Sequence, residues 1–205
     1  LLRDKFLLGF DPSPELGAIL VVYFVQGALG ISRLALSFFL KDELGLHPAE
    51  IASLTAISVI PWLIKPIYGF LSDALPLFGY RRRSYLVGSG VIGASSWLWL
   101  AFAGHSVWEV AGASILSSLS VAISDVVADS LVVERVRDQP ASRSGALQAL
   151  CWGYSAIGGL GSAYLSGSLL EMFTTRQIFA GTAVMPFIVA ALAGFIDERR
   201  MDTGG

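Results

Sequence analysis

Six stretches of this 205-residue chain are apolar for long enough to cross a lipid bilayer: about 16–40, 48–72, 84–104, 107–133, 143–170 and 176–196. A helical span needs ~20 such residues. The runs are continuously apolar, not alternating, so they predict helices and exclude a barrel of period-2 strands. The loops between them are short, which makes successive spans antiparallel neighbours. The expected fold class is therefore an all-α membrane protein of six transmembrane helices, with no soluble domain. Charged residues make up only 15% of the chain, against about 25% in soluble domains, and the mean hydropathy is +0.66. The first run is too long for the core of a signal peptide and is read as a span. Because residue 1 is leucine, the true N-terminus is expected to lie upstream.

The loops carry most of the charge, and their basic residues set the orientation. One side holds Arg3, Lys5, Arg81, Arg82, Arg83, Arg135, Arg137, Arg143, Arg199 and Arg200; the other holds Lys41 and Arg176. Ten against two predicts that both ends of the chain are cytoplasmic, or stromal in a plastid. The net charge of −2 averages over both sides and points to no nucleic-acid partner. A single cysteine, Cys151, excludes a disulfide framework and a cysteine-based metal site. No metal and no cofactor is expected.

The remaining cations, Arg33 and Lys65, fall inside spans, as do Asp125 and Asp129. A charge at mid-membrane costs at least ~2.5–3.5 kcal/mol and marks a functional site by default. At ~1.5 Å per residue, Lys65 lies ~10 Å from the basic-side end of its span, and Asp129 and Asp125 ~6 and ~12 Å from the end of theirs. These three share a layer. Arg33 lies ~10 Å from the opposite surface, with no acid at its depth.

Faces follow from about 100° per residue. Ser114, Ser118, Asp125 and Asp129 share one face of span 4. Gln26, Gly30, Arg33 and Ser37 share one of span 1. Ser58, Pro61, Lys65, Gly69 and Ser72 do so on span 2, flanked by Trp62 and Tyr68; Gln148, Trp152, Ser155 and Gly159 do so on span 5. Four polar stripes are expected to line one aqueous cavity. The alternative is that Lys65 merely neutralises an aspartate between packed helices. The span 5 glycines, Gly153, Gly158, Gly159, Gly161 and Gly167, suit close helix approach.

Between spans 2 and 3 stands GFLSDALPLFGYRRRSY, whose Gly69, Asp73, Gly79 and Arg81, Arg82 and Arg83 resemble the loop signature of the major facilitator superfamily. Relative to that signature, about three extra residues, including Pro76, separate Asp73 from Gly79. Here Asp73, at a helix end, suits another helix's N-terminus, and the arginines suit Glu134 or Asp129 as partners in a gate that also includes Arg135. SDVVADSLVVERVR, WLIKPIYGFLSD, GYRRRSYL and GALQALCWGYSAIGG are together similar to the folate-biopterin transporter family, a branch of that superfamily, over nearly the whole chain.

That resemblance implies one six-helix half of a twelve-span secondary transporter, spanning residues 1–205, with the C-terminal bundle absent and supplied either by missing sequence or by a second copy. It implies transport of folate or a pterin by alternating access, coupled to protons, in a bacterial inner membrane or plastid envelope. The residues it brings forward are Lys65, Asp73, Asp125, Asp129, Glu134, Arg135 and Gln148. In such a cavity Asp125 would meet the amino edge of a pterin and Arg33 or Lys65 an anionic tail. Trp62, Tyr68 and Trp152 would stack on the ring, and Gln26 is a further candidate ligand. Asp125 and Asp129 are the candidate proton carriers, since low dielectric favours a neutral carboxyl unless a cation opposes it. Other solutes, and a non-transporting scaffold, are the alternatives. An enzyme is not expected: neither the second aspartate pair of a phosphatidyltransferase nor the Gly-x-Gly-Asp of an intramembrane protease occurs.

Overall fold

In a computed structural model, which describes residues 7–137, 140–198 and 200, the described residues form helices joined by short loops. Six helical spans follow in order: α1, Pro14–Glu43; α2, Pro48–Ala74; α3, Arg83–Phe102; α4, Val107–Val136; α5, Ala141–Met172; and α6, Thr175–Phe195. Their ends lie within a few residues of the expected ones. Five are long and apolar enough to cross a membrane. The sixth, α5, has the length at 32 residues, but recurring glycine and serine dilute its hydropathy.

The span starts are written into the sequence as caps. Ser13 accepts the Leu16 amide at 3.1 Å and Pro14 opens α1, where its missing N–H is no loss. Ser106 and Glu109 form a reciprocal capping box at α4, as Thr174 and Gln177 do at α6. Antiparallel succession then places the Arg81–Arg83 loop and the ends of α4 and α6 on one side of the bundle. On the other lie the end of α1, the end of α3 and the start of α6. There Arg176 reaches Glu43 at 3.3 Å, donates to the Gly104 carbonyl at 2.9 Å and lies 5.1 Å from the Phe39 ring. Arg3, Lys5 and Arg199, used above to set orientation, fall outside the described residues.

The core is built by α1, α3, α4 and α6, with α5 packed along α1 and α2 along α4. Small residues decide the tightest crossings. A methyl group added at Gly27 would collide with the Ser155 carbonyl of α5 and sit 2.8 Å from the Gly159 amide. One added at Gly158 would collide with the Phe24 carbonyl and sit 3.0 Å from the Ala28 amide. The two backbones therefore touch through a reciprocal pair of glycines, the device that brings helices together in lipid. This narrows the expectation for α5: Gly153, Gly161 and Gly167 face open space and take no part in the contact.

Neither α1 nor α2 is a regular helix. At Leu29, α1 slips for one turn, then widens into a π-turn over Phe39–Glu43. Pro61 and Pro66 interrupt α2: each removes an amide donor and crowds the preceding turn. The chain answers with short i→i−3 bonds, Trp62 to Val59 and Ile67 to Ile64, both 2.9 Å. The second break falls at Ile64, so Lys65 begins a fresh helical segment.

Gly158→Leu should disrupt the α1–α5 crossing by about 1–3 kcal/mol or more, the usual penalty for overpacking. Gly161→Ala should be close to neutral. Thermal unfolding of both variants followed by size-exclusion fluorescence checks this; equal melting temperatures would contradict the close crossing.

Candidate functional site

A cavity of about 1010 Å³ opens at the basic side of the bundle. Its walls come from α2 (Lys65, Gly69, Asp73), α4 (Asp129, Ser130, Glu134), the Arg81–Arg82 loop and the chain beyond α6. Two of the intramembrane charges, Lys65 and Asp129, border it. Lys65 forms an ion pair with Asp125, so the shared depth read from the sequence corresponds to direct contact. A lysine at the start of a helical segment faces the positive end of the helix dipole. Two features offset that: the Asp125 carboxylate, and the Trp62 ring, whose centroid lies 4.1 Å from the ammonium. Trp62 thus holds Lys65 against one face of its ring.

Asp129, one turn along α4, does not meet an arginine. It accepts a hydrogen bond from the buried Tyr23 hydroxyl of α1. Tyr23 is not among the candidates that the sequence brings forward, though a hydroxyl among the apolar residues of a span is a signal in itself. Each aspartate of α4 is therefore claimed by a different helix, Asp125 by α2 and Asp129 by α1.

Below this pair lies a charge cluster centred on Arg82, whose side chain is only 9% exposed. Its guanidinium donates to Glu134 through Nε at 3.1 Å and Nη2 at 2.7 Å. It also reaches Asp73 at 2.7 Å and the Ser72 hydroxyl at 2.7 Å. The fork geometry of arginine makes this many-sided contact available where a lysine could not. Glu198, just past α6, accepts the backbone amides of Arg81, Arg82 and Arg83, with Arg82 at 3.1 Å and Arg83 at 3.0 Å. A carboxylate thus sits on the N-terminus of α3, satisfying otherwise orphaned amides. The sequence reading assigned a helix-terminus role to Asp73; Glu198 fills such a role instead, while Asp73 pairs with Arg82. The loop between them turns tightly at Phe78 and Gly79, which have φ values of +56° and +83°.

Other candidates lie apart from the cavity. Arg135 turns away from Arg81–Arg83 to bind Glu15 at 2.8 Å and Ser13 at 2.9 Å, tying α4 to the start of α1. Gln26 borders a separate void of about 10 Å³ among α1, α3, α4 and α6, and its buried amide nitrogen lacks a hydrogen-bond partner in the structure. Arg33 is exposed on α1, and among the described residues no carboxylate is in ion-pair contact with it. Gln148 is half-buried and Trp152 is 66% exposed on α5, neither on the wall of the described cavity.

The structure defines a polytopic helical membrane protein, with ionisable side chains paired inside the bundle above a cavity closed on one rim by a charge cluster. Comparison with known proteins gives the family. The model of the BT1 family matches residues 26–205. A folate-biopterin transporter of Synechocystis sp. is 53% identical over 197 residues, covering 96% of this chain and 40% of that protein. Probable folate-biopterin transporter 2 of Arabidopsis thaliana is 33% identical over 183 residues, 87% of this chain and 36% of that one. Folate transporter 2 of Plasmodium falciparum is 30% identical over 206 residues, 99% and 44% respectively. The chain belongs to the BT1 family, and it spans about two fifths of the length of these relatives.

Arg82→Lys should lower stability by about 1–2 kcal/mol, because Glu134 and Asp73 keep partial exposure and so retain water when the fork is lost. Glu134→Gln should cost less. Chemical denaturation in mild detergent reads the order; an equal effect of the two would argue against Arg82 as the centre of the cluster.

Proposed function

We propose that this chain forms one half of a secondary transporter that moves a folate or pterin across a membrane by alternating access, coupled to protons. The other half is either further sequence of the same protein or a second copy of this chain. Family membership supports the class of activity, and the names of the relatives supply the class of solute. The observation that carries the mechanism is the Lys65–Asp125 pair, whose lysine borders the cavity together with Asp129.

Ionisable groups persist in a bilayer when something opposes their charge or when they move it. Lys65 stands on a twice-broken helix, and Asp125 on an unbroken one of 30 residues. Movement of the short α2 segment relative to α4 separates the two charges. The carboxylate of Asp125 then takes a proton from one side and releases it when Lys65 returns. In this cycle Asp129, which accepts a hydrogen bond from the Tyr23 hydroxyl, is the second candidate carrier. The Arg82 cluster acts as the gate on the basic side: Asp73 and Ser72 belong to α2, Glu134 to α4 and Glu198 to the chain after α6, so opening requires those contacts to part. Gly69 and Gly79 belong to the same gate motif, and Arg81 and Arg83 complete it.

Folate joins a flat pterin to a carboxylate-bearing tail. Arg33, which makes no ion pair with a carboxylate among the described residues, is the cation available to that tail. Trp152, exposed on α5, is the aromatic face available to the ring, and Gln148 lies one turn away from it. The protein works in a bacterial inner membrane or plastid envelope, with the basic loops on the cytoplasmic or stromal side.

Uptake of labelled folate by cells producing the intact gene product, driven by an imposed pH gradient, tests this. Asp125→Asn should abolish gradient-driven uptake while leaving the protein in the membrane; full retention would remove Asp125 from coupling. The paired replacement of Lys65 by Met and Asp125 by Leu separates coupling from mere neutralisation. Under the proposal it is folded and inactive, whereas restored uptake would make the pair a structural element only.

A further inference from the structure

Two faces of α2 differ sharply. Lys65, Gly69 and Asp73 line the cavity. Within the segment Lys65–Ala74, at about 100° per residue, Ile67 and Phe70 fall together on a face turned from Lys65 and Gly69; both are exposed, Phe70 by 75%, as is Leu63 just before the break. This bare apolar stripe does not stop at the end of the helix. It continues through Leu75 and Leu77 to Phe78, which is 87% exposed.

Phe78 is displayed by a turn that works against its own backbone preference. Leu77 and Tyr80 pair across it, with the Tyr80 amide donating to the Leu77 carbonyl at 3.0 Å. Both central residues have positive φ. Gly79 accepts this freely, but a bulky aromatic residue in the left-handed region is a genuine outlier. Such strain persists only where surrounding contacts enforce it, and it is a pointer to function. The enforcing contacts are visible. The Ser84 hydroxyl donates to the Leu77 carbonyl at 2.7 Å, and the Tyr85 hydroxyl donates to the Leu71 and Leu75 carbonyls at 3.1 and 3.0 Å. The stem is clamped to α3 while the tip is left outside. Tyr80 follows, with the Arg83 guanidinium 5.4 Å from its ring, an aromatic and basic pair of the kind that settles among lipid headgroups.

We propose that the Leu75–Tyr80 turn is a lipid anchor: Leu77 and Phe78 insert into the acyl boundary of the leaflet on the basic side, with the partly exposed Arg83 beside Tyr80 engaging anionic headgroups. The occupant is the bilayer itself. The apolar stripe that runs down α2 already faces away from the cavity, and the turn extends that same surface to the headgroup level, where arginine complements phosphate. Held in this way, the foot of α2 is fixed in depth, so its movement is a swing about the membrane surface and not a sliding along the normal. This anchoring does not depend on which solute is carried.

The test uses the intact gene product with Phe78→Cys, labelled with an environment-sensitive fluorophore; Cys151 is wholly buried, and the unlabelled-site control is the parent protein. It is reconstituted in vesicles of phosphatidylcholine with phosphatidylglycerol, and in phosphatidylcholine alone. The expected result is blue-shifted emission, with most of it lost to a shallow nitroxide-bearing lipid and little to aqueous iodide. The loss should be deeper where phosphatidylglycerol is present. Quenching by iodide would place the tip in water, and protection from both quenchers would place it against protein; either overturns the proposal. Equal lipid quenching in both vesicle types would overturn the headgroup part. Leu77→Cys, read in the same way, must report the same leaflet depth, and disagreement between the two positions would also count against insertion.

Discussion

A charge inside a bilayer needs an opposing charge, and the pairing of Lys65 with Asp125 meets that need between α2 and the helix it packs along. α2 is largely bare, broken twice by proline and held along one neighbour, α4. Without the carboxylate, the lysine would face both hydrocarbon and the positive end of its own helical segment. Without the lysine, Asp125 would be a buried anion in a helix made for apolar company. The position of α2, the shape of the cavity and the approach of Ser72 and Asp73 to Arg82 all follow from that contact.

The rest of the polar architecture repeats the same logic at other depths. Asp129 is met by a hydroxyl, Arg82 by two carboxylates and a serine, the first amides of α3 by Glu198, and Arg135 by Glu15. Each contact joins different helices, so the polar groups act as cross-ties in a bundle whose apolar surfaces give little discrimination among neighbours in lipid. On the opposite side, Arg176 ties α1, α3 and α6 through Glu43, the α3 carbonyls and the Phe39 ring. α2 and α5 stand outside that knot.

Much of this was legible in the residues. Length and continuity of apolar runs mark the helices that are apolar enough to cross a bilayer, five among the described residues, with bounds close to those expected. Depth counting put Lys65 and Asp125 in one layer, and they meet. Tyr23 and Glu198 were not found, for different reasons. A phenol in an apolar span is read as packing until a carboxylate is placed opposite it. A glutamate after the last span is read as a solvated end until the α3 amides arrive beneath it. Gln26 failed in another way: the slip at Leu29 breaks the regular 100° progression, so a stripe drawn through Gln26 and Arg33 joins residues that serve different spaces. Periodicity is reliable only as far as the helix is regular, and both α1 and α2 are interrupted near their polar residues.

The reciprocal contact of Gly27 with α5 and of Gly158 with α1 has a consequence for variation. Where two helices are registered by backbone atoms, their alignment makes little demand on side-chain size elsewhere along them. The outward face of α5, bearing Trp152 and its neighbours, can therefore accept new shapes and polarities without displacing the helix that presents it. The scaffold is set by the absence of side chains, which leaves the presented chemistry open to change.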